Sequence, residues 1–129
     1  MRQLIFALMF IVALTLANTC AAADVWIEHW QADGIDIYAA DDSIKGDVSQ
    51  SGDKYFTVST KFVKRGEVQR VVKWTFSKYQ SDMWRYEPSA MDGSHTTVVI
   101  PRNPLFEFCM DKLRWQYTVT DDGGISYYY

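Results

Sequence analysis

The chain has 129 residues, with 13 Lys and Arg against 16 Asp and Glu for a formal net charge of −3, and aromatic residues make up 16% of it. That balance excludes an electrostatic nucleic-acid binder, and the length leaves room for one small core rather than two domains. Rings at this density are the natural source of buried area for such a core.

Met1-Arg2-Gln3 followed by the apolar run Leu4 to Leu16 is too short to cross a bilayer core of roughly 30 Å as a helix, and it predicts a secretory signal. Ala21 and Ala23 place cleavage before Asp24, giving a signal peptide over residues 1–23 and a single domain over 24–129. Loss of Arg2 would leave a net charge of −4 on a 106-residue domain. Cys20 raises the alternative of a lipid-anchored N-terminal cysteine, although Asn18 and Thr19 before it fit that processing poorly. Only Cys109 survives in the mature chain, so no intramolecular disulfide is expected and stability must come from packing.

Val25 to Gln31 alternates with Trp26 and Trp30 on one face and His29 on the other, ahead of the hairpin signal Asp33-Gly34. A two-residue turn there would set Trp30 opposite Ile37 and His29 opposite Tyr38. Asp41 to Asp53 is polar and unpatterned and predicts a connection with one turn near Ser43-Ile44. Lys54 to Lys78 predicts the central hairpin, with Phe56, Val58, Thr60 and Phe62 on one arm and Val68, Arg70, Val72, Trp74 and Phe76 on the other. A three-residue loop Lys64-Arg65-Gly66 keeps the apolar faces together by pairing Phe62 with Val68, Val58 with Val72 and Phe56 with Trp74.

Met83 to Tyr86 predicts a further strand, Glu87 to His95 a loop, and Thr96 to Ile100 another strand. Asn103-Pro104 is a helix start, a capping Asn before Pro in the first turn. Leu105, Phe106, Cys109, Met110, Leu113 and Tyr117 follow at helical spacing, with Lys112 and Arg114 suited to the C-terminal end. Asp121-Asp122-Gly123-Gly124 is a turn, and Ile125 to Tyr129 a last strand or a frayed end.

Residues that could carry chemistry are few. His29 and His95 are the only histidines, and Cys109 falls on the apolar face of the helix, where a thiol behaves as a small hydrophobe. The Asp-rich segments lack the spacing of a calcium loop and suit turns instead. No catalytic residue, metal or cofactor is therefore expected. Basic residues concentrate in the central hairpin, and Lys61, Arg65 and Lys73 there, with Trp84 and Arg85 beyond it, form the candidate binding set for an acidic partner. The same lysines also serve to protect sheet edges.

Trp30, Asp33-Gly34, Ile37-Tyr38, Asp42-Ser43-Ile44 and the long strand from Tyr55 together resemble the small exported bacterial proteins related to surface-adhesin protein E. The resemblance covers Trp26 to Phe76 and implies an antiparallel sheet with a C-terminal helix, and an adhesin-like role at the envelope or surface. Members whose helix and sheet are joined by a disulfide need two mature cysteines, and here Cys109 stands alone.

The expected fold is α+β: a hairpin meander of about five or six antiparallel strands with one C-terminal helix packed on one face. The expected function is a non-enzymatic secreted or periplasmic protein that binds a macromolecular partner, does not span the membrane, and is free to pair as a homodimer. The alternative is an inhibitor of a secreted lysozyme or protease that inserts the loop Glu87 to His95.

Overall fold

A computed structural model describes residues 24–89 and 97–129. The expected signal peptide, His95 and most of the loop from Glu87 to His95 lie outside the described residues. The architecture is an antiparallel sheet with one helix: β1 (Asp24–Trp30), β2 (Ile35–Ala40), β3 (Lys45–Val48), β4 (Lys54–Lys64), β5 (Glu67–Lys78), β6 (Arg85–Pro88), β7 (Thr97–Val98), α1 (Pro104–Leu113), β8 (Val119–Asp122) and β9 (Ile125–Tyr128). Seven strands form one sheet in the order β1-β2-β4-β5-β6-β7, with β3 also paired to β4, and β8-β9 form a separate two-stranded ribbon. The extra strands come from two stretches without clear alternation. β3 forms within the expected connection, and the tail closes into a hairpin over Gly123-Gly124.

Both long hairpins keep their apolar faces together by a route the spacing did not predict. In the central one the loop is the two-residue Arg65-Gly66, with φ of 53° and 78° at its two residues, the backbone of a primed hairpin turn. Lys64 pairs with Glu67 and Val63 with Val68, then Gln69 bulges out so that Phe62 meets Arg70, Val58 meets Trp74 and Phe56 meets Phe76. A bulge thus does the parity correction expected of a third loop residue, and it moves Val68 to the opposite face from Val72. In the first hairpin the connection is Gln31 to Gly34, which pairs Trp30 with Ile35 and His29 with Asp36. A bulge between Trp26 and Glu28 then separates Trp26 from Trp30, so the two indoles expected on one face lie on opposite faces.

Before β3, a short 3-10 turn over Asp41–Ser43 is tied down by the Ser43 hydroxyl, which donates to the Ala40 carbonyl at 2.6 Å and accepts from the Ser59 amide at 2.9 Å. Helix α1 starts as its sequence dictates. The Asn103 side chain accepts from the Phe106 amide at 3.0 Å, Pro104 occupies the first turn, and Arg114 ends the helix in the left-handed region with φ 57°.

The helix lays Leu105, Phe106, Cys109 and Met110 on the sheet face formed by Phe56, Val58 and Phe76, and Trp84, Val99 and Tyr128 complete this core. Phe106 is its hub, with ring centroids of Tyr128 at 4.4 Å, Trp84 at 5.3 Å, Phe76 at 5.7 Å and Phe56 at 6.1 Å. The C-terminal ribbon is stitched to the rest by Tyr128, whose hydroxyl accepts from the Asn103 amide at 3.1 Å and whose carbonyl accepts from the Trp84 amide at 2.9 Å. A smaller cluster of Ile37, Phe62 and Val72, flanked by Trp30 and Trp74, continues the same sheet face toward the hairpin ends.

Candidate binding face

Strand alternation leaves the other side of the sheet bare among the described elements, with Trp26 54% and Val71 60% exposed. Register carries a row Trp26–Tyr38–Lys61–Val71 across β1, β2, β4 and β5, and beside it a row His29–Asp36–Val63–Val68. The face therefore combines aliphatic and aromatic surface with charge.

Asp36 organises the β1 end. Its Oδ1 accepts from the Trp26 indole N–H at 3.1 Å and lies 2.9 Å from His29 Nδ1. These two hydrogen bonds, that from Trp26 first, hold the Asp36 carboxyl below the usual aspartate range. The consequence is positional, since Trp26 is tethered by its N–H and presents its ring to solvent. The pair's row neighbours, Val63 and Val68, bring no nucleophile to it.

The sequence-predicted residues separate into distinct places. Lys61 and Lys73 share the open face on adjacent strands, since Lys61 pairs with Val71 and Ser59 with Lys73. Lys61 Nζ forms an ion pair of 2.8 Å with Asp24, whereas Lys73 has no ion-pair partner among the described residues. Arg65 stands at the exposed tip of the central hairpin. Arg85 pairs with Ser77 on the same face, about 13 Å along β5 from Lys73 at the usual strand rise, with its Nε 3.8 Å from Asp82. Trp84 is 1% exposed and belongs to the core beneath the helix, so its ring offers no surface to a partner. Strand polarity alone did not show which side of the sheet it would take.

The sequence reading missed Trp26, Asp36 and Val71 as parts of this face. The signal of Trp26 was concealed by the bulge at Ile27, which reassigns sides midway along β1, whereas alternation already set Asp36 and Val71 opposite the core-facing Ile37 and Val72. Cys109 is fully buried, and burial pushes its thiol up to about 12, far from a reactive thiolate. Asp47 and Asp53 of the Asp-rich segments serve local turns: Asp53 accepts from the Gln80 amide and from Ser51, and Asp47 from the adjacent Val48 amide.

The fold and this face define an antiparallel sheet protein with helical cover on one side and an open, mixed apolar and basic surface on the other. Comparison of the chain with family models, with curated proteins and with solved structures finds no match. No helix among the described residues is long and apolar enough to cross a membrane.

Proposed function

We propose that this chain is a non-enzymatic exported protein of the bacterial envelope or surface, adhesin-like in role, which docks a macromolecular partner on the open sheet face. The observation that carries the reading is the row Trp26–Tyr38–Lys61–Val71, an exposed indole and valine flanking a lysine, next to Lys73. Large rings and aliphatic groups supply desolvated contact, and the lysines select an acidic surface and speed encounter. Export is supported by the leader-like run from Leu4 to Leu16 and the small residues before Asp24.

The test is a pulldown of envelope and host-matrix proteins with the native chain and with Trp26→Ala/Val71→Ala and Lys61→Ala/Lys73→Ala double variants. The reading expects a specific partner whose capture falls with both pairs and weakens with salt. A partner retained unchanged by both variants would remove this face as the site.

A further inference from the structure

On the opposite side of the sheet, where the helical cover ends, a cavity of ≈ 220 Å³ opens between α1 and the strands. Its floor is the buried Ile37, Phe76 and Leu105, and its lining is completed by the partly buried Trp30, Trp74, Tyr86, Glu28 and Asn103. We propose that this cavity is a binding site for a small soluble quaternary ammonium compound, with the three rings as its aromatic lining and Glu28 as counter-charge. It is independent of the open-face reading, being on the other side of the sheet.

Three observations converge on that ligand. First, the indole edges are already committed: Trp30 Nε1 donates to Glu28 at 2.8 Å, and Trp74 Nε1 donates to Thr60 Oγ1 at 2.8 Å, which itself donates to the Val72 carbonyl at 3.0 Å. With their N–H groups occupied, what these rings have left to offer is the electron-rich face, and the bonds hold them in place before any ligand arrives. Second, Trp74 and Tyr86 pack on each other at 5.6 Å and 51°, an ordinary tilted pair that makes one continuous aromatic wall of the cavity, with Trp30 also in the lining.

Third, charge and size select within the cations. Glu28 is the acidic residue of the lining, so a positive ligand gains both ring and carboxylate attraction. A methylated nitrogen is only weakly hydrated and loses less on entering an aromatic wall than a primary ammonium would. The cavity lies below the roughly 300–1,000 Å³ typical of drug-sized ligands, which suits a compact head group.

The experiment is a titration of the chain with choline chloride and tetramethylammonium chloride, followed by tryptophan fluorescence and by the indole N–H resonances of Trp30 and Trp74. The uncharged isostere 3,3-dimethylbutan-1-ol is the control. The proposal expects saturable shifts of both indoles with the two cations and none with the alcohol. Glu28→Gln, which keeps an acceptor for Trp30, should weaken binding about tenfold or more, as loss of a nearby charge predicts. Trp30→Leu, checked for native circular dichroism, should abolish it. Equal binding of the alcohol, unchanged affinity in E28Q, no indole shift at about 50 mM ligand, a concentration that would reveal even millimolar affinity, or binding to phosphatidylcholine vesicles without binding of free choline would each overturn it.

Discussion

Phe106 is the residue on which the helix-to-sheet contact turns, and truncating it to alanine measures how much of the fold rests there. The ring is fully buried among Phe56, Phe76, Trp84, Tyr117 and Tyr128, with the nearest centroid at 4.4 Å. A Phe→Ala change in such surroundings costs about 3–5 kcal/mol, from lost burial and from a cavity that stiff neighbouring rings cannot refill. Small domains hold roughly 5–15 kcal/mol in all. With a urea dependence of about 1–3 kcal/mol per molar, the midpoint should fall by about 1 M or more. Phe106→Leu keeps most of the volume but loses the ring-to-ring geometry, and should cost about 1–2 kcal/mol. Phe108, partly exposed on the same helix with the Lys112 ammonium 5.7 Å over its ring, is the internal control, and Phe108→Ala should cost about 1 kcal/mol or less. Equal losses at 106 and 108 in urea titrations followed by tryptophan fluorescence would refute the placement of the helix on the sheet.

Three further outcomes follow from individual contacts. A Cβ added at Gly46 would lie 2.8 Å from the Trp115 ring and 3.1 Å from Leu113 Cδ2, so Gly46→Ala should cost about 1–3 kcal/mol by overpacking, read as a lowered melting temperature. An unchanged melting temperature would mean Trp115 does not pack under β3. Cys109, its thiol pushed up to about 12 by burial, should resist a thiol reagent in the native state and react at the rate of unfolding, and immediate labelling at neutral pH would contradict this. Asp36 has a folded-state pKa below its unfolded one, so its contribution to stability is fully present above the unfolded value and is lost as pH falls through the folded one. Carboxyl NMR should find that lowered midpoint, with His29→Ala raising it only in part because the Trp26 bond is the larger cause; a normal midpoint in the native chain would break the account of the tether.

Much of the architecture was legible because it depends on local chemistry. Asn103-Pro104 specifies a helix start wherever it sits, and the helical spacing of Leu105, Phe106, Cys109 and Met110 marks the buried side without reference to the sheet. The alternation from Phe56 to Phe62 likewise fixes a strand and its inner face. Register was not legible, because a bulge and an odd-numbered loop shift parity by the same one residue. The sequence around Lys64 to Gln69 satisfies both, and only the three-dimensional pairing chose the bulge at Gln69. The same ambiguity at Ile27 hid the split between Trp26 and Trp30, and with it the two surfaces proposed to bind. β3 was concealed for another reason: Lys45 to Val48 is exposed throughout and carries no apolar alternation, being held by pairing with β4 and by Trp115 against Gly46.

Site-specific photocrosslinking in intact cells tests the central claim most directly. A photoreactive residue at Val71, on the open face, should trap one discrete macromolecular adduct that is lost with Lys61→Ala/Lys73→Ala, while the same residue at the exposed Asp111 of the helix should trap none. The same adduct from both positions, or none from Val71 with a strong one from Asp111, would contradict docking on the open sheet face.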